Sequence, residues 1–171
     1  MTAGGLATFH DLVAEFVLSP ATANVSELAY QLLLSGYESP SLAALIGPPR
    51  DQSPQDARDL FASALRELGL SLPDRLAAAA TMKRQVARRV TSGQLTSREG
   101  AAELVALFQL VEGELPKARQ YVGDTFGIAR VVGLYYSYDD VDARDSGAIA
   151  EIDEAIMWLC GRLAEGEDAN V

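Results

Sequence analysis

The residues of this chain best suited to chemistry sit in one stretch, Tyr135-Tyr136-Ser137-Tyr138-Asp139-Asp140-Val141-Asp142-Ala143-Arg144-Asp145. Aromatic rings beside clustered carboxylates can hold a cation or grip a basic protein surface. Tyrosine is enriched at interface hot spots, and carboxylates pair with arginine and lysine. Tyr135, Tyr136, Tyr138, Asp139, Asp140 and Asp142 are therefore the candidate partner-binding residues. The competing reading of the same stretch is a loop with one or two tyrosines in the core and the acids solvated. A calcium loop would need acidic ligands at alternate positions, a glycine at the sixth and a bidentate carboxylate at the twelfth. A register starting at Asp140 puts Arg144 at the fifth position and Asp145 where the glycine belongs. One starting at Asp142 puts Arg144 at the third. Neither register supplies a ligand set, and the simpler role for Asp145 or Ser146 is to cap a following helix.

Other reactive residues are sparse. His10 is the only histidine and Cys160 the only cysteine. A zinc site built from one histidine and scattered carboxylates would be unusual, and no Glu-x-x-His arrangement of the di-iron kind occurs. Cys160 lies on the apolar stripe of its segment, where an inert buried thiol is expected rather than half of a catalytic dyad with His10. No nucleophile-elbow, phosphate-loop or dinucleotide glycine pattern is present. The reading is accordingly no catalytic residues, no metal and no cofactor, with the balance against an enzyme. Lys83, Arg84, Arg88 and Arg89 form a basic cluster without interleaved aromatics, better suited to pairing with acids of neighbouring helices than to nucleic acid.

Charge narrows the partners. The 171 residues carry a formal net charge of −10, with a pI near 4.5. Because phosphate neutralisation supplies most non-specific affinity for nucleic acid, this balance argues against such a ligand. The acidity is concentrated: from Asp139 to Val171 ten Asp or Glu face two Arg, a net of −8. Such a field steers a basic protein partner, or else simply keeps the chain soluble. A single cysteine fits a reducing compartment. No basic residue other than His10 precedes Arg50, and no apolar run approaches spanning length, so the expectation is a cytoplasmic protein that does not enter a membrane. The alanine- and arginine-rich composition points to a GC-rich bacterial genome.

The elements that would position these residues read as helices throughout. Phe9, Leu12, Val13, Phe16 and Val17 give a first helix, with Thr8 and Asp11 in a capping arrangement. A second runs from about Asn24 or Ser26 to Ser35, and Ser39-Pro40 opens a short third. The range 8–47 is then an N-terminal helical cap, followed by a linker at Gly47–Ser53. Ser53-Pro54 opens a helix that Gly69 ends, Pro73 begins one that Gly93 ends, and Thr96 with Glu99 forms a capping box on a third. Turns this short predict that 53–113 folds as an antiparallel three-helix core. Helices within 116–163 should dock on it, one starting at Pro116 and another over about 146–163. The stretch 124–138 could be strand or helix. Helix is the better reading, because a lone strand would have no pairing partner. The acidic tail 164–171 is expected to be disordered. The whole of 1–171 thus reads as one all-α domain, an antiparallel bundle of about six to eight helices.

Leu42, Leu45 and Gly47, then Asp59-Leu60-Phe61 with Ala64 to Leu70, then Gly93 followed by Thr96 to Ala102, resemble a scattered group of uncharacterised small all-helical bacterial proteins, some of them immunity-like. The resemblance implies an all-α cytoplasmic protein that works by binding, and no catalytic residues to carry over. The function expected is a non-enzymatic acidic interaction domain for a basic protein partner, of immunity or accessory type. The alternative is a helical bundle that binds a small molecule, with or without turnover, in room left by the glycines between Phe126 and Tyr138. A homodimer seam is a third reading.

Overall fold

The computed structural model describes residues 9–19, 25–46, 53–117 and 121–170. Among these, every regular element is helical: α1 (Phe9–Leu18), α2 (Val25–Leu34), α3 (Pro40–Ile46), α4 (Pro54–Glu67), α5 (Arg75–Thr91), α6 (Ser97–Val111), α7 (Ala129–Asp140) and α8 (Ser146–Ala164). Single 3-10 turns lie at Glu112–Glu114 and Asp124–Phe126. The all-α expectation holds, and 124–138 resolves as a 3-10 turn followed by α7. Thr8 and the proposed linker residues 47–52 lie outside the described residues.

Local signals account for the element ends. Ser53 accepts from the Asp56 amide while the Asp56 carboxylate accepts from the Ser53 amide, and Thr96 and Glu99 repeat the arrangement at α6. Each box satisfies two amides that a helix leaves orphaned. After α4, Gly69 turns left-handed at φ 70°, and the Leu70 amide reaches back to the Leu65 carbonyl at 2.8 Å. That is the glycine stop expected from the sequence.

The chain packs as two compact units, 1–78 and 79–171, with the division falling inside α5. In the first, α4 lies against α2 and α3. Its core gathers Phe16 from α1, Leu28 and Leu32 from α2, Leu42 and Leu45 from α3, and Phe61 and Leu65 from α4. A polar tie joins α3 to α4: the Glu67 carboxylate accepts from the Ser41 hydroxyl at 2.6 Å and the Ser41 amide at 3.1 Å. Those two hydrogen bonds favour the charged form and hold the Glu67 carboxyl below its ordinary range. The folded state therefore gains from Glu67 above the unfolded glutamate range and loses that gain as pH falls below that range through the lowered folded-state value. Urea midpoints of wild type and Glu67→Gln, compared from neutral pH into the acid range, are expected to differ at neutral pH and to draw together only below the ordinary glutamate range. A gap that stays constant across that window would rule the linkage out.

In the second unit α6, α7 and α8 pack on one another pairwise. Leu104, Phe108 and Val111 of α6, Val131 of α7, and Ile156, Leu159 and Leu163 of α8 are all buried. Within this unit α6, α7 and α8 form a three-helix core. The buried side chains of α5 are mostly alanines, with Val86 and Val90, and they offer little area. Within the first unit α4 is covered by α2 and α3, and within the second α6 is covered by α7 and α8.

Two expectations are corrected here. Pro116, Lys117, Tyr121 and Val122 are not helical; residues 118–120 of the helix expected there lie outside the described residues. Nor is the tail loose. Ala169 is fully buried and its amide donates to the Gly127 carbonyl at 2.7 Å. The Asn170 side chain accepts from the Ala129 amide at 3.0 Å and donates to the Asp124 carbonyl at 2.9 Å. One amide side chain thereby caps α7 and closes the turn before it. Composition alone reads this segment as solvated, because its partners lie more than forty residues back.

Candidate interaction site

The tyrosine and aspartate residues singled out above occupy the last turns of α7 and the loop to α8, and the helical period separates them. Tyr138 faces inward. Its hydroxyl donates to Asp153 Oδ1 on α8 at 2.6 Å, and the Arg98 guanidinium lies 5.0 Å from its ring centroid. Burial, reinforced by the Asp153 hydrogen bond, pushes the phenol well above its usual range, so it stays a donor. The Asp153 carbonyl in turn accepts from the Ser97 hydroxyl at 2.9 Å. Tyr138 therefore serves as a strut joining α7 to α8, beside the start of α6, and it is not available to a partner.

The remaining candidates differ in what they already do. Tyr135 is half-buried and stacks edge-on against exposed Tyr136 at 5.3 Å. Asp139 lies 3.8 Å from Arg98 across an exposed pair, an interaction worth little in water. Asp142 accepts from the Arg144 amide at 2.9 Å and so shapes the loop, while Asp145 caps α8 through the Ala148 amide at 3.0 Å. Asp140 is exposed, one turn beyond Tyr136 on the same stripe. Tyr136, Asp139 and Asp140 thus form an outward-facing acidic and aromatic end of α7.

That end runs against the helix dipole. Carboxylates are favoured at a helix N-terminus and disfavoured at the C-terminus, where partial negative charge accumulates. The last turn of α7 contains no basic residue and closes on Asp139 and Asp140.

Exposed apolar residues missed in the sequence lie on α8. Trp158, the only tryptophan, is 55% exposed and Met157 is 40% exposed. The Arg162 guanidinium lies 5.4 Å from the Trp158 ring centroid. The signal was there to be read, since Trp158 falls off the stripe of Ile152, Ile156, Leu159 and Leu163 that faces inward.

Comparison with protein-family models, curated proteins and solved structures gives no match. The geometry of the other reactive residues can still be stated. Cys160 is fully buried, and burial pushes its thiol up to about 11, far from a nucleophilic thiolate at neutral pH. His10 is exposed on α1. Among the described residues no three of His, Cys, Asp and Glu gather into a group that could hold a metal ion, and no helix is long and apolar enough to cross a membrane.

The basic cluster on α5 is divided. Arg89 pairs with Glu103 on α6 at 2.8 Å. Lys83 donates to the Phe126 carbonyl at 2.7 Å, lies over the Phe126 ring and is 3.9 Å from Asp168, so it holds the turn before α7. Burial lowers its pKa, with Asp168 opposing. Arg84 and Arg88 are exposed.

Proposed function

We propose that this protein is a non-enzymatic interaction domain that recognises a basic protein surface through the C-terminal end of α7, with Tyr136, Asp139 and Asp140 at its centre and Asp142 at its edge. The observation that carries the reading is the pair Asp139 and Asp140, held in the open at the end of α7 where its own dipole disfavours them, with only an exposed contact from Arg98 to Asp139 to offset the cost. A basic partner would relieve that cost. The concentration of negative charge after residue 138 would speed its approach. Trp158 and Met157 offer apolar anchors of the kind that dominate interface energy. The form of activity suggested by the resemblance is that of an immunity or accessory protein, masking a basic toxin or enzyme in the cytoplasm.

The test is capture by the tagged protein from its own lysate at low salt, followed by association kinetics with the protein recovered. A stoichiometric basic partner is expected, with an on-rate that falls steeply as salt rises. The triple variant Asp139→Asn, Asp140→Asn, Asp142→Asn should slow association about tenfold or more and flatten the salt dependence, because the amides keep the loop hydrogen bonds while removing the field. An unchanged on-rate for that variant would remove α7 from the interface.

A further inference from the structure

The opposite end of α7 is also charged against its dipole. Arg130 stands in the first turn, where the helix is partially positive, and that turn contains no acidic residue. Arg130 is exposed, and no ion pair to it is present among the described residues. One turn further on the same stripe lies Gly133, in the helix interior, where glycine weakens a helix. Neither backbone nor packing asks for a glycine here: its φ is not in the left-handed region, and a Cβ built on it would meet nothing within 4 Å. Gly133 opens onto a groove of ≈ 360 Å³, lined also by Val132, Arg130, Tyr121, Val122 and Asn170 among others. Its walls are mostly apolar. Tyr121 and Val122, beside it, are 62% and 59% exposed.

We infer that this groove is a binding site for an anionic amphiphile, its apolar body lying over Gly133 between Tyr121 and Val132 and its acidic head on Arg130 at the N-terminal end of α7. The head would bring negative charge to Arg130 and to the partially positive helix end. The volume suits a chain of about ten carbons, within the lower range of small-molecule sites. The site is separate from the acidic end of α7 and does not rest on the protein-binding reading.

The probe is decanoate, added below its micelle concentration and followed by amide shifts of the labelled full chain, with decanol as the uncharged control. Saturable binding with shifts centred on Val132 and Gly133 is expected. Arg130→Ala should weaken decanoate at least tenfold and decanol less than twofold. Gly133→Leu should abolish binding of both, whereas Gly133→Ala should raise the melting temperature by a few degrees while weakening binding, which separates a filled groove from a damaged fold. Vesicles of phosphatidylglycerol distinguish a lipid headgroup as source from a free amphiphile: the same Arg130 and Gly133 dependence there would assign the site to a bilayer lipid. No saturable binding to decanoate or vesicles, or binding indifferent to Gly133→Leu, would overturn the inference.

Discussion

Phe61→Ala is expected to cost the first unit about 3–5 kcal/mol, the range for removing a fully buried aromatic ring. Phe61 is completely inaccessible and meets Phe16 edge-on, with ring centroids 4.7 Å apart. Its neighbours in the core come from separate helices, among them Leu32 and Leu42, both fully buried, so the cavity cannot collapse without moving more than one element. Hydrogen exchange reads the effect locally. The most protected amides of α2 and α4 should exchange at least about 100-fold faster in the variant. Leu34→Ala, at a side chain 65% exposed, should change them little. An acceleration below about tenfold for Phe61→Ala would mean that the core of 1–78 is not built around that ring.

Gly100→Ala in α6 is expected to destabilise by about 1–3 kcal/mol, although alanine is the better helix former by nearly 1 kcal/mol. The added methyl would land on Val90 Cγ2 of α5, well inside contact distance, and Val90 is itself fully inaccessible. A β-branched side chain in a helix has one strongly preferred rotamer, so Val90 has nowhere to swing. Val90→Ala in the same chain should make room and return most of the loss. A double-mutant cycle on urea unfolding would show a coupling above about 0.5 kcal/mol between the two sites. If Gly100→Ala alone proves neutral, the α5 to α6 crossing is looser than this contact requires.

The two substitutions mark the line between what was legible in the sequence and what was not. Ser53, Thr96 with Glu99, and Gly69 act on backbone groups within five residues of themselves, so spacing alone reveals them. Periodicity likewise places the buried stripe of α8. Which stripe covers which is another matter. Nothing near α4 says that α2 and α3 will cover it, and nothing near Gly100 says that Val90 lies above it. The candidate site shows the same division. Tyr135, Tyr136 and Tyr138 look equivalent as a string, yet only Tyr138 finds a carboxylate, Asp153, fifteen residues on. Asn170 sits in an acidic run that composition reads as solvated, and its role depends on Asp124 and Ala129.

The single tryptophan has a practical corollary. Trp158 is 55% exposed with the Arg162 guanidinium over its ring, so unfolding carries its indole only part of the way into water. A fluorescence melt is accordingly expected to follow the transition with a smaller change than a buried tryptophan would give. Burial of α8 against another molecule would shift the emission to the blue. A blue shift on adding a candidate partner would therefore mark α8 as a contact surface, and stability is better followed by circular dichroism or calorimetry.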